Sequence, residues 1–228
     1  KFSKIGGRYL SLPGYSKKIL LSNALKEKFI KLENYTNKIS KILTKGKKCI
    51  IKSDDGTFLE TDITNRVSNS CPGHVLKKGS LASPPDAESN ISPIENKSNG
   101  LIVVNGSIAN DNIGLLKDPV YLSIKNGKII KVVSKSNKIK KYLEKTFKKF
   151  GLKSRILGEI GIGLNKKSKL TGNMLTDEGS YGCIHFGFGS NFSVGGKNKV
   201  DFHLDFVSKN HNLYIDNKKI IKKGKILI

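Results

Sequence analysis

Two short stretches, CIHFGFG at 183–189 and DFHLDFV at 201–207, alternate between apolar residues and polar or small ones. Alternation of this kind is typical of β-strands, because successive side chains leave opposite faces of a strand. Each stretch therefore predicts a strand with one apolar face for a core and an opposite face that carries a histidine, His185 or His203. Asp205 lies two residues after His203 and shares its face, so both side chains can reach the same point.

The rest of the chain reads as hairpins with two helices packed against them. Apolar residues at three- and four-residue steps predict amphipathic helices at about 22–44 and 136–150. Turn residues between β-like runs predict hairpins that turn at 54–57, at 126–127 and at 216–217. Strands joined by tight turns pair antiparallel. The sequence therefore predicts an α+β fold that is rich in β-structure, with a curved or barrel-like mixed sheet built from hairpins.

Length and composition predict one globular domain. The 228 residues are 37% hydrophobic, so a single domain at 1–228 is expected, with an irregular lead-in and a packing helix at 1–45. We find no apolar run long enough to cross a bilayer and no secretory leader. Cys49, Cys71 and Cys183 are widely spaced and odd in number, which predicts neither a disulfide framework nor a zinc-finger spacing. A cytoplasmic location is therefore expected.

The chain is strongly basic, with a formal net charge of +24. Of the 42 basic residues, only Arg8, Arg66 and Arg155 are arginine. Specific recognition of phosphates and bases relies on the planar arginine fork more than on lysine. The sequence also lacks a stripe of alternating basic and aromatic residues. The charge therefore does not predict a specific nucleic-acid partner, and a membrane partner is not expected either.

Five side chains of metal-binding type are candidates for a metal site: Glu88, Glu159, His185, His203 and Asp205. Imidazole and carboxylate together suit divalent zinc, manganese, cobalt or iron. Adding both glutamates to the histidines and the aspartate would provide enough ligands for two metals bridged by a carboxylate. From the pattern alone a structural role stays open for each residue. Glu88 in particular stands between prolines in a region, 65–100, that reads as irregular and solvated.

Four stretches resemble motifs of the thermophilic-type leucyl aminopeptidases, the aminopeptidase T family. They are ASPPDAESNISP at 82–93, GEIGIGLN at 158–165, LTGNMLTDEGSYGCIHFGFGSN at 170–191 and FHLDFV at 202–207. Their order and spacing also match, so the resemblance covers roughly residues 8–228. It corresponds to the metal-carrying C-terminal region of that family, and the N-terminal domain of the family is expected to be absent.

The resemblance implies a function and a set of site residues. In the peptidases the matching positions are metal ligands, and here they are Glu88, Glu159, His185, His203 and Asp205. We therefore expect a metal-dependent hydrolase that removes N-terminal residues from peptides, with water activated by zinc, cobalt or manganese. Glu88 or Glu159 would act as the bridging ligand or the general base. A peptide or small molecule is the expected substrate, and the family suggests a homodimer.

Departures from the peptidase pattern keep two alternatives open. The peptidases carry a tyrosine ligand where this chain has Phe192, and a lysine where it has Gly179 after an Asp–Glu pair. The same family includes members that resemble dihydroxypyridine dioxygenases and hold one non-haem iron, which suits His185, His203 and Asp205. The alternatives are therefore a mononuclear iron dioxygenase that cleaves an aromatic ring, or a non-catalytic relative that binds a peptide or a partner protein.

Overall fold

A computed structural model describes residues 3–110 and 112–228, which form two large antiparallel sheets, one two-stranded parallel sheet and four α-helices. The helices are α1 (Lys17–Leu20), α2 (Phe29–Lys45), α3 (Asn137–Phe150) and α4 (Met174–Asp177). Single turns of 3-10 helix occur at Ser3–Ile5, Asn23–Lys26, Leu152–Arg155 and Phe192–Val194. Among these described residues, no helix combines the length and the hydropathy needed to cross a membrane.

The strands are short and follow one another along most of the chain. In chain order they are β1 (Tyr9–Leu10), β2 (Lys48–Lys52), β3 (Phe58–Asp62), β4 (Asn69–Cys71), β5 (Leu81–Ala82), β6 (Glu88–Ile91), β7 (Ser98–Val104), β8 (Ser107–Ile108), β9 (Gly114–Leu115), β10 (Val120–Lys125), β11 (Lys128–Ser134), β12 (Leu157–Gly163), β13 (Ile184–Gly189), β14 (His203–Ser208), β15 (Asn212–Ile215), β16 (Lys218–Lys222) and β17 (Lys225–Ile226). One large sheet has the order β11-β10-β7-β3-β2-β15-β16-β17 and the other the order β4-β6-β12-β13-β14-β8-β9, while β1 pairs with β5.

The two large sheets share one hydrophobic core. Ile51, Leu59 and Leu122 of the eight-stranded sheet are fully buried in the same cluster as Phe186 and Phe206 of the seven-stranded sheet. Apolar residues of α2 and α3 belong to that cluster as well. Because side chains alternate along a strand, the polar residues of β12, β13 and β14 are directed to the opposite face of the seven-stranded sheet.

The predicted fold class is confirmed, since the chain is α+β and dominated by strands. All three predicted hairpins form, as the pairs β2–β3, β10–β11 and β15–β16. At two of these turns Asn126 and Asp216 have φ of 49° and 46°, the left-handed conformation that tight hairpin turns require. The second predicted helix is confirmed as α3. The first begins only at Phe29, because Asn23–Lys26 form a 3-10 turn and Glu27 is extended.

Two expectations about the sheets need correction. The large sheets do not close into a barrel, because β11, β17, β4 and β9 remain as edge strands. The region 65–100 is not irregular: it contains β4, β5 and β6, and Glu88 is the first residue of β6, only 6% exposed. The prolines bracket this strand rather than exclude it. Its sequence, ESNI, is polar although it is buried, which hides it from any pattern that is based on hydrophobicity.

Candidate metal centre

The face of the seven-stranded sheet that is turned away from the core carries all five predicted ligands. The neighbouring strands β12 and β13 contribute Glu159 and His185, and β14 contributes His203 and Asp205. Glu88 comes from β6, which pairs with β12 on the other side. Four adjacent strands therefore bring together side chains that are far apart in the sequence.

A β-bulge at Gly158 turns Glu159 onto this face. The register between β12 and β13 shifts between Leu157 and Glu159. In a regular strand these two residues would share a face. With one additional residue between them, Leu157 enters the hydrophobic core and Glu159 joins the polar cluster. Glycine fits at the bulge because a Cβ at Gly158 would lie 3.0 Å from Asn191 Cβ.

The five side chains form a row in which carboxylates and imidazoles alternate. Glu88 Oε2 lies 3.0 Å from His185 Nε2, and the same nitrogen lies 3.8 Å from Glu159 Oε1. On the other side, Glu159 Oε2 lies 3.4 Å from His203 Nε2, which lies 3.1 Å from Asp205 Oδ1. Glu159 is thus the central member of the row, with one carboxylate oxygen directed toward each histidine.

Two glycines leave the space that the imidazole rings occupy. A Cβ at Gly161 would lie 2.0 Å from His185 Cε1 and Nε2. A Cβ at Gly187 would lie 2.6 Å from His203 Nε2 and 2.9 Å from Asp205 Oδ1. Any side chain at either position would displace the ring beside it. The glycines that alternate along β12 and β13 therefore serve the site rather than a turn.

The row concentrates negative charge in a buried place. Glu88, Glu159 and Asp205 are 6%, 7% and 5% exposed. Glu88 Oε2, although 3.0 Å from His185 Nε2, is not aligned with it as a hydrogen bond, and it has no other partner in the described part of the chain. Two imidazoles can offset only two of these three buried carboxylates, and an uncompensated buried charge costs several kcal/mol. Three carboxylates that face two imidazoles are a donor set that a divalent transition metal would neutralise, so the residues fit such a cation.

The same crowding shifts the pKa values of these groups. Burial would lower the pKa of His203, but the carboxylates of Asp205 and Glu159 outweigh burial and raise it to about 10. Burial also opposes ionisation of Asp205, but the adjacent His203 lowers the pKa of that carboxyl to about 2. The pKa of His185 is raised well above its usual value against the effect of burial, mainly by Glu88. A metal would replace the protons on the imidazoles, so its binding is expected to release protons.

The five residues divide into two compact groups that share a member. In each group the ligand atoms lie within 4.8 Å of one another, and the groups are Glu88–Glu159–His185 and Glu159–His203–Asp205. Within residues 3–110 and 112–228, the combination of His185, His203 and Asp205 that was expected for a single iron is not such a group. The first group is buried throughout, whereas the second has one open side at His203.

The family of the chain follows from a match over nearly its whole length. A family model described as "NicX: 2,5-dihydroxypyridine 5,6-dioxygenase" matches residues 16–228. The chain belongs to the NicX family. A curated relative, the 2,5-dihydroxypyridine 5,6-dioxygenase of Pseudomonas putida, is 31% identical over 80 residues, which amount to 31% of this chain and 23% of that protein.

Two solved structures share the fold of this NicX family member. The 2,5-dihydroxypyridine dioxygenase from Pseudomonas putida KT2440 superposes with a TM-score of 0.84 at 22% identity, over 99% of this chain and 66% of that one. AmpT from Thermus thermophilus superposes with a TM-score of 0.68 at 14% identity, over 90% of this chain and 57% of that one. The chain therefore spans less than two thirds of the length of these relatives.

The assignment to a peptide hydrolase is wrong. The match to the NicX family covers residues 16–228, whereas the likeness to AmpT, at 14% identity, is a likeness of fold alone. Nothing in these comparisons supports the terms hydrolase, aminopeptidase and protease. A dioxygenase family implies an enzyme with iron or another metal as its cofactor, but nothing supports zinc, cobalt or manganese in particular.

Two further buried carboxyl groups of this NicX family member approach the row, and no sequence pattern had indicated them as site residues. Asp86 and Glu178 have pKa values well above the usual range, in both cases mainly because of burial. One oxygen of each has no hydrogen-bond partner among the described residues. Gly179 makes this packing possible, since a Cβ there would lie 2.7 Å from Asp86 Oδ1. Gly179, which replaces the lysine of the peptidase pattern, therefore leaves space for Asp86. The glycine after Asp177 and Glu178 was the one signal in the sequence that could have indicated this packing.

Other residues singled out in the sequence lie outside the row. Phe192, at the position of the peptidase tyrosine ligand, is 59% exposed, and the ammonium group of Lys199 lies 3.9 Å from the centre of its ring. Asp177 accepts hydrogen bonds from Ser107 Oγ and from the backbone N–H of Thr171, at 2.5 and 2.7 Å. Asp177 thus holds the loop before α4 in place, and Phe192 lies at the surface.

Proposed function

We propose that the chain binds iron(II) and uses molecular oxygen to open the ring of a dihydroxylated pyridine, with 2,5-dihydroxypyridine as the substrate for which its relatives are named. The observation that carries the proposal is the Glu159–His203–Asp205 group, a compact set of metal ligands in a chain whose family carries the name of that reaction. Non-haem iron oxygenases typically hold iron with two histidines and one carboxylate. This group supplies His203 and two carboxylates, and a second histidine, His185, lies 3.8 Å from Glu159.

Access distinguishes the two groups of ligands. The side chain of His203 is 32% exposed, so the group that contains it is open on one side to a substrate and to oxygen. The side chains of His185 and Glu88 are 1% and 7% exposed, and they leave no comparable entrance. We therefore assign iron to Glu159, His203 and Asp205. His185 and Glu88 would act as buried neighbours that hold the carboxylate of Glu159 in place.

Bound iron(II) would supply a site for the hydroxylated ring and for electron transfer to oxygen. In a ring-cleaving dioxygenase both atoms of O2 enter the product, and the ring supplies all four electrons, so no external reductant is required. The chain positions the reaction. The Ser190 carbonyl lies 2.8 Å from His203 Nδ1 and so directs Nε2 toward Asp205. His185 Nε2, between Glu88 and Glu159, is placed to hold a proton beside the site.

Oxygen consumption by the iron-loaded chain tests the proposal. The purified protein is loaded anaerobically with iron(II) and mixed with 2,5-dihydroxypyridine in an oxygen electrode. We expect one O2 to be consumed for each substrate molecule lost, and both atoms of 18O2 to appear in the product. Asp205→Asn should reduce the rate by more than about 100-fold, because the variant lacks a ligand charge.

Zinc-loaded protein is the control, because zinc has the same charge but does not exchange electrons. Oxygen uptake with iron and none with zinc is the expected result. Stoichiometric iron without oxygen uptake, or equal turnover of the substrate with zinc, would contradict the proposal.

A further inference from the structure

A buried asparagine closes the loop at 190–198, which is the first part of the connection between β13 and β14. Asn191 is fully buried. Its Oδ1 accepts a hydrogen bond from the backbone N–H of Asn198 at 2.7 Å, and its Nδ2 donates to Ser92 Oγ at 2.9 Å and to Glu95 Oε1 at 3.0 Å. The side chain therefore joins the two ends of the loop to each other and to the segment that follows β6.

Glu95 anchors the middle of the loop. Its Oε1 also accepts a hydrogen bond from the backbone N–H of Lys197 at 2.6 Å, and its Oε2 pairs with the guanidinium group of Arg66 at 2.6 Å. Arg66 in turn donates to the carbonyl of Gly195 at 2.9 Å. We call this set of contacts, with Asn191 at its centre, the loop clamp.

The first residue of the loop contacts a proposed iron ligand. The Ser190 carbonyl oxygen lies 2.8 Å from His203 Nδ1. A carbonyl oxygen can only accept, so Nδ1 must carry the hydrogen. The other nitrogen, Nε2, then faces Asp205 at 3.1 Å and Glu159 at 3.4 Å. A backbone acceptor on the remote nitrogen of a histidine is a common means of orienting a metal ligand.

The loop clamp fixes the direction of that carbonyl. The Ser190 carbonyl belongs to the peptide unit that it shares with Asn191, and the N–H end of this unit donates to the carbonyl of Asn198 at 3.1 Å. Asn198 is held in place by Asn191 Oδ1, and its own Nδ2 donates to the carbonyl of Gly189 at 2.7 Å. Rotation of the peptide unit, which would swing the carbonyl away from His203, would break these bonds.

We infer that Asn191 is a positioning residue for His203: through the loop clamp it holds the Ser190 carbonyl, which keeps the imidazole directed at Asp205 and Glu159. This inference rests on the proposed function, because the purpose of the orientation is metal binding. Loss of an orienting partner of a metal ligand typically weakens metal affinity by about 10–100-fold.

Two variants disturb the clamp from different directions. Asn191→Ala removes its central amide. Gly196→Ala places a Cβ 2.0 Å from Asn191 Cγ and so pushes the amide away from its partners. Asn165→Ala is the matched control, since Asn165 is also fully buried and donates to the carbonyls of Ala24 and Pro85, outside the loop. Arg66→Ala, at the edge of the clamp, is a milder variant for use if Asn191→Ala does not fold.

Two readouts separate positioning from stability. The first is the exchange with water of the His203 Nδ1–H proton, followed by NMR in metal-free protein. The second is zinc affinity, measured by chelator competition. In Asn191→Ala and Gly196→Ala we expect proton exchange at least about tenfold faster and zinc affinity about 10–100-fold weaker, with neither change in Asn165→Ala.

A folded Asn191→Ala or Gly196→Ala protein with the exchange rate and zinc affinity of the parent would overturn the inference, as would equal changes in Asn165→Ala. If the parent protein binds neither zinc nor iron, the proposed function fails. The exchange measurement still decides whether the clamp holds His203, because it requires no metal.

Discussion

Glu159→Gln is expected to abolish iron(II) binding, whereas Glu88→Gln should retain it. Glu159 is the residue that the two ligand groups share, and its oxygens lie 3.8 Å from His185 Nε2 and 3.4 Å from His203 Nε2. Glutamine has the same size but neither the charge nor a second oxygen. We expect iron(II) affinity to fall by more than about 100-fold, beyond the range typical of residues that only support a ligand. Anaerobic competition with a chromogenic chelator measures this loss.

The fold should tolerate this change. Burial raises the pKa of Glu159, which means that the charged form destabilises the metal-free protein, and glutamine removes that charge. Unfolding by urea should therefore show equal or greater stability for the metal-free variant. Glu88→Gln makes the same substitution in the buried group. For this variant we expect iron(II) affinity to fall by at most about 10–100-fold, the range typical of a residue that only supports a ligand. Equal losses in the two variants would refute the assignment of iron to Glu159, His203 and Asp205.

Gly187→Ala should weaken iron(II) binding more than it weakens folding, whereas Gly161→Ala should mainly lower the stability of the fold. The Cβ of Gly187→Ala would meet His203 Nε2 at 2.6 Å, but the His203 side chain is 32% exposed and can swing toward solvent. The same Cβ would lie 2.9 Å from Oδ1 of the buried Asp205, so we expect this variant to fold with a smaller loss of stability than Gly161→Ala and to lose iron(II) binding. The Cβ of Gly161→Ala would meet His185 at 2.0 Å, and the side chain of His185, 1% exposed, has nowhere to move. Overpacking of this kind costs about 1–3 kcal/mol.

Both glycine variants are compared by iron(II) titration and by urea unfolding of the metal-free protein. Gly151→Ala is a suitable control: with φ of 70° it strains the backbone, but an added Cβ has open space around it within the described structure. It should lose stability without losing iron. Normal iron affinity in Gly187→Ala would mean that His203 Nε2 is not directed at the metal.

Patterns among neighbouring residues were sufficient to predict the hairpins and α3. The turn at Asn126 and the period of three to four residues in α3 are signals carried by neighbouring residues, and both elements form where expected. The packing of two open sheets was not predictable in the same way, because strand order depends on contacts between residues that are distant in the chain. The strand that starts at Glu88 was missed because its buried residues are polar and serve the site instead of the core.

Residue types in the sequence indicated the five members of the row but not their grouping. Alternation along β13 and β14 put His185, His203 and Asp205 on one face. The bulge at Gly158, which places Glu159 between the two histidines, has no signature in a single sequence. The set of ligands expected for a single iron, His185, His203 and Asp205, stays a prediction, although each compact group in the structure includes Glu159. The family motifs also could not decide between hydrolase and dioxygenase, since related chemistries share one fold.

Anomalous diffraction at the iron absorption edge, from crystals of iron-loaded protein, tests the central claim most directly. We predict one peak bounded by Glu159, by Nε2 of His203 and by Asp205, with His185 and Glu88 adjacent to it. A peak confined to the Glu88–His185 side of the row, or iron-loaded crystals with no peak at the row, would contradict the account.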